Sequence, residues 1–110
     1  MKRRVPKSRV LERRQSARAT EDFRAIFRYG YVTWGPLAAF DYLQSFDIPL
    51  AMIMENPRIA RARPDLGTGI RSRTHRSHVI VYRVQPDHVL IVRILHGAMD
   101  APARVKGDSR

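Results

Sequence analysis

Two strand-like runs, His78 to Val84 and Val89 to Leu95, flank the step Gln85-Pro86-Asp87-His88. Proline at the second position of that step suits a type I-like turn, so the whole reads as a β-hairpin. An antiparallel sheet with one wet face alternates apolar and polar residues. This hairpin does not. Pairing Gln85 with His88 places Val79, Val81, Arg83, Leu90, Val92, Ile94 and His96 on one face. His78, Ile80, Tyr82, Val84, Val89, Ile91, Arg93 and Leu95 fall on the other. Both faces are mostly apolar, so both must be covered. The chain offers few helices for that task, which leaves one face for helices and the other for a partner.

The helices lie upstream. Ser16 is suited to cap a helix whose start also carries Thr20, Glu21 and Asp22. Phe23, Ile26, Phe27 and Tyr31 recur at three- and four-residue spacing, the mark of one apolar helix face. Trp34-Gly35-Pro36 ends this helix and starts the next, since glycine suits a helix C-terminus and proline a first turn. The second pattern runs to Glu55 through Ala39, Tyr42, Leu43, Phe46, Leu50 and Ile53. Pro49 interrupts it, and a proline inside a straight helix costs about 3 kcal/mol. A kink or break is therefore expected near Asp47-Ile48. Asn56-Pro57 closes the segment. Residues 57 to 69 read as a surface loop, followed by a strand from Ile70 to His75. A weakly patterned strand is also expected at Arg9 to Arg14.

One domain spans residues 9–100, between a basic tail at 1–8 and a polar tail at 101–110. A chain of 110 residues is long enough for a single core, and 44% apolar content excludes wholesale disorder. Lys and Arg number 21 against 10 Asp and Glu, giving a net charge of +11. Such a field favours an acidic partner. The basic N-terminal tail leaves direct contact with nucleic acid open without requiring it. Cysteine is absent, which excludes disulfides and thiolate metal sites. No apolar stretch reaches the roughly 18 residues needed to span a bilayer. The expectation is a soluble, cytoplasmic protein.

Some residues call for a partner or a role. Arg83 and Arg93 sit inside apolar strands, where a cation needs a carboxylate such as Asp100 or Glu55, or a place at the sheet margin. His96 ends the last strand, and its ordinary pKa near 6.5 makes it the obvious acid–base candidate. His75 and His78 are three apart, a spacing that sends strand side chains to opposite faces, so no metal or other cofactor is indicated. Trp34 reads first as a core cap on the helical hairpin, and second as an exposed anchor.

Four stretches carry a resemblance: EDFRAIFRYGYVTWG (21–35), MENPRIARARPDLGTGIRS (54–72), HVIVYRV (78–84) and VLIVRILHGAMD (89–100). In this order they resemble the RelE/ParE superfamily of toxins from type II toxin–antitoxin pairs, closest to the ParE-like, plasmid-stabilisation branch. The resemblance implies an α+β fold, with an antiparallel sheet of about four strands packed against an N-terminal two-helix hairpin. It implies an acidic, ParD-like antitoxin as partner and DNA gyrase as target, bound rather than cut. Residues expected at partner surfaces are Trp34, Arg71, Arg83, Arg93, His96, Met99 and Asp100. RelE-like members instead cleave mRNA on the ribosome. Such cleavage needs a base, an acid and cations at the phosphate. Here that set would be Arg71, Arg83 and His96. Val79 stands where that branch often has arginine, and no tyrosine follows HGAMD. The departure favours a binding inhibitor over a nuclease, with a non-toxic binding module as a further alternative.

Overall fold

The computed structural model describes residues 11–97 and 101–106. The elements are β1 (Glu12–Gln15), α1 (Ala17–Trp34), α2 (Pro36–Gln44), α3 (Asp47–Glu55), β2 (Arg61–Ala62), β3 (Ile70–His75), β4 (His78–Val84), β5 (His88–His96) and α4 (Ala101–Lys106). The strands form one sheet in the order β1-β5-β4-β3-β2. The fold is the α+β arrangement expected, with five strands rather than about four. β1 joins β5 in parallel, and the two-residue β2 lies inside the segment expected as a loop.

Local chemistry explains the helix boundaries. The Ser16 hydroxyl accepts from Ala19 N at 2.9 Å and donates to Val92 O at 2.7 Å, so one side chain caps α1 and ties it to β5. Gly35 ends α1 at φ 98°, a left-handed conformation that a side chain resists. α1 and α2 then approach closely: a Cβ at Gly30 would stand 3.2 Å from Ala39 Cβ. The break expected near Asp47 falls just before it, at Ser45 and Phe46. Pro49 thereby becomes the third residue of α3, where its missing N–H removes no intrahelical bond. The ring is buried rather than disruptive.

Two apolar clusters hold the sheet. On the helix side, Ala19, Phe46, Leu50, Ile53 and Met54 pack on Ile80, Tyr82, Val89, Ile91 and Ile94. Phe46 meets Phe23 and Tyr42 edge to face, at 5.4 and 5.6 Å between ring centroids. Tyr31, expected on the same stripe as Phe23, is instead exposed beside Phe27. On the opposite face, Val81, Val92 and Leu95 pack with Leu66, Ile70 and Val105. That face was expected to wait for a partner. It is closed from within the chain, because the segment expected as a polar tail begins with α4 and buries Val105 completely.

The β4–β5 pairing follows the expected register only near the turn. Val84 pairs with Val89, Arg83 with Leu90 and Tyr82 with Ile91. Val81 then pairs with Arg93, so Val92 is an extra residue, a β-bulge. Beyond it Ile94, Leu95 and His96 change sides relative to the expectation. Ile94 and His96 join Ile80 and His78, while Leu95 joins Val79.

Candidate functional site

The bulge brings three histidines into one row. His75 pairs with His78 across the β3–β4 turn, and His78 pairs with His96 across β4 and β5. Directly paired residues share a face. The three-residue spacing of His75 and His78 therefore does not separate them, because a turn and not a strand lies between. The helices reach down to this row. Tyr42 Oη lies 2.7 Å from His78 Nδ1, and Ser45 Oγ lies 2.8 Å from His75 Nε2. His96 meets His78 edge to face, with centroids 5.6 Å apart. Arg76, at the turn, places its guanidinium 5.9 Å from the centre of the Tyr42 ring.

Burial holds the His78 ring below its ordinary pKa, with His96 and His75 adding to the shift and Asp22 opposing it. Burial also lowers His75, helped by Arg76 and Arg73. Both rings are neutral at pH 7 on this account. Among the described residues no group of three or more His, Asp or Glu is placed to hold a metal ion.

Above the histidine row runs a groove of about 1000 Å³ between the helical hairpin and the end of the sheet. Its lining mixes small residues (Ala25, Gly30, Ala38), rings (Tyr29, Trp34, Tyr42) and polar groups (Asp22, Asp41, Arg76, His78, His96). Trp34 packs edge to face on Tyr29 at 5.5 Å and is 63% exposed, so it is no core cap. Val32, Leu37 and Phe40 add exposed apolar surface on the same hairpin.

The expected site residues divide. Trp34 and His96 share the groove. Arg93 is buried, and its guanidinium makes two bonds to Asp22, at 2.8 and 2.9 Å, a carboxylate not among those expected. Met99 and Asp100 lie outside the described residues. Arg71, Arg83 and His96 are not brought together. Arg71 pairs with Tyr82 and donates to Ala60 O at 2.7 Å, on the helix side of β3. Arg83 pairs with Leu90 and Ile70, whose side chains pack in the opposite cluster. His96 lies opposite His78, about 16 Å along β4 from Arg83. Tyr42, His78 and Arg76 were not foreseen as site residues. Only the two-residue turn at Arg76-Ser77 could have signalled them, since it makes His75 and His78 a pair.

No helix among the described residues is long and apolar enough to cross a membrane. Toxin ParE1 of Mycobacterium tuberculosis, in two strains, is 35% identical over 71 residues, covering 64% of this chain and 72% of its own. The fold resembles a chain of the chromosomal ParDE toxin–antitoxin system from P. aeruginosa, with a TM-score of 0.69 and 21% identity over 79% of this chain and 96% of that one. It also resembles a chain of the RelBE2 toxin–antitoxin complex from Mycobacterium tuberculosis, with a TM-score of 0.57 and 19% identity over 82% and 94%. The family described as ParE toxin of type II toxin-antitoxin system, parDE, matches residues 14–101, and this chain belongs to it.

Proposed function

We propose that this toxin is held inactive by an acidic antitoxin segment lying in the groove between the helical hairpin and the sheet, and that the freed toxin inhibits DNA gyrase by binding. The observation that carries the antitoxin part is the groove itself, with Trp34 and Tyr29 exposed beside Ala25, Gly30 and Ala38. Small residues admit a backbone closely, and exposed rings supply anchor area. The net charge of +11 favours an acidic occupant. The two similar structures come from toxin–antitoxin systems, which supports a partner of that kind. The gyrase target rests on the ParE kinship, and the dispersal of Arg71, Arg83 and His96 speaks for binding over mRNA cleavage.

Purified toxin freed of antitoxin decides the target in two parallel assays. Loss of plasmid supercoiling by gyrase, with mRNA intact on translating ribosomes, is the expected outcome. Cut mRNA with normal supercoiling would overturn it. Expression that leaves growth unchanged would favour a non-toxic binding module. The Trp34→Ala/Ala38→Glu pair tests the groove: both side chains are exposed, so the fold should persist while neutralisation by antitoxin is lost.

A further inference from the structure

The sheet edge along β3 carries a second feature, which meets the groove only at Arg76. Arg71 and Arg73 alternate along it, opposite Tyr82 and Ile80, and so point to the same face about 6.6 Å apart. Arg58 adjoins them, since its carbonyl accepts from Arg71 Nη1 at 3.4 Å. Arg61 lies on β2 opposite Ser72, so it leaves the same sheet edge on the other face, and Arg76 occupies the turn that ends β3 and lines the groove. None of these five arginines is in an ion pair among the described residues; the nearby Asp65 is taken by Arg63 at 2.8 Å. Two guanidinium groups are set in advance. Arg71 is anchored on Ala60 O at 2.7 Å, and Arg73 reaches Met52 Sδ at 3.8 Å. Anchoring lowers the ordering cost of a contact. β2 pairs only with Arg71 and Ser72, so the outer backbone edge from Arg73 to His75 stays open.

We propose that the sheet edge bearing Arg58, Arg61, Arg71, Arg73 and Arg76 is a binding site for the phosphate backbone of duplex DNA, adjoining the groove at Arg76. The strand from Arg71 to His75 is about 13 Å long. One DNA strand carries a phosphate about every 3.4 Å of axis, so the edge faces roughly four. Guanidinium groups suit phosphate because they fork onto two of its oxygens. The exposed rings of the chain lie on the helical hairpin, away from β3, and binding of single strands leans on rings that stack bases. The site therefore reads backbone and not sequence. It also explains why the edge of this sheet is crowded with cations beyond the one or two that would discourage strand pairing.

The test uses the full chain freed of antitoxin and a fluorescein-labelled 20-base-pair duplex of arbitrary sequence, read by anisotropy between 50 and 200 mM KCl. Four phosphate contacts predict a log–log salt slope near −3.6, so affinity falls roughly 100-fold across that range. Arg61→Glu/Arg73→Glu should flatten the slope by about 2 and weaken binding at least about tenfold at low salt. Arg13→Glu/Arg24→Glu makes the same change in charge on β1 and α1, and should change binding less than about threefold. Circular dichroism confirms that each variant folds. Equal losses in both variants, or no binding at 50 mM KCl, would overturn the proposal. So would tighter binding of a single-stranded oligonucleotide or of polyglutamate than of the duplex. Growth arrest is scored separately, so failure of this site and failure of the toxin reading are distinguishable.

Discussion

Asp22 and Arg93, 71 residues apart, form a buried ion pair in which the carboxylate takes two guanidinium bonds and also accepts from Ile94 N at 2.9 Å. Their side chains are 15% and 6% exposed. The pair therefore locks the first turns of α1 to β5 just past the bulge. A buried cation stripped of its partner costs about 3–5 kcal/mol. Asp22→Ala should destabilise the fold by that amount in urea titrations, and Asp22→Asn somewhat less. Asp22→Ala/Arg93→Met should recover part of the loss, because it removes the cation that the lost carboxylate had balanced. An Asp22→Ala loss below about 1 kcal/mol would mean that water already screens the pair.

Ser16 acts on the same junction. Its hydroxyl caps α1 and satisfies the carbonyl of Val92, the bulged residue itself. Loss of a cap costs about 1 kcal/mol, and a part-buried carbonyl left without a donor adds about 1 more. Ser16→Ala should therefore lower stability by about 2 kcal/mol, against about 1 for an ordinary cap. Hydrogen exchange gives the sharper check: amides flanking Val92 should lose protection before those of β3 and β4.

What the sequence disclosed and what it withheld follow one physical line. Ser16, Trp34-Gly35-Pro36, Asn56-Pro57 and Pro86-Asp87 are local signals, and each marks a boundary within a residue or two of the one observed. The bulge at Val92 has no local signature. Its observed partners are Ser16 and Asp22, bonded to β5 from more than 70 residues away. The histidine row depends on that bulge, since without the extra residue His96 would point away from His78. Arg93 was recognisable as a cation needing a carboxylate. Its bond to Asp22 was not recognisable, because nothing in the sequence shows α1 crossing β5 there. The closure of the second sheet face was equally hidden: Val105 is the one large apolar residue in a stretch of small and polar ones.

Arg76 has φ 54°, the one non-glycine residue with positive φ among those described. It stands at the first central position of the two-residue β3–β4 turn, where a II′-type turn prefers glycine. Left-handed backbone at a residue with a Cβ costs about 1–2 kcal/mol. The contact of its guanidinium with the Tyr42 ring returns only part of this. Arg76→Gly should therefore raise stability by about 0.5–1 kcal/mol, seen as a higher urea midpoint at unchanged slope. Arg76→Val should do the opposite, since a β-branched side chain tolerates this conformation worst. A fall in stability with glycine would show that the Tyr42 contact outweighs the strain.

His78 makes stability depend on pH in a defined direction. Its ring is enclosed by Tyr42 from α2, His75 from β3 and His96 from β5, with Asp22 of α1 as the acidic neighbour. Burial and the two histidines lower its folded pKa below the ordinary 6.5, and Asp22 only partly opposes them. Between the folded and unfolded pKa values the unfolded chain binds more protons, so stability rises with pH there. The contribution is complete above about pH 6.5 and is lost as pH falls below it towards the folded value. His75, lowered by burial and by Arg76 and Arg73, adds in the same sense. The melting temperature should therefore drop from pH 7.5 to pH 5.5, and His78→Gln should flatten that drop while keeping a polar partner for Tyr42. Proton NMR titration of the histidine Cε1–H signals checks the cause directly: a His78 midpoint above 6.5 would reverse the sign and assign the pH dependence to other groups.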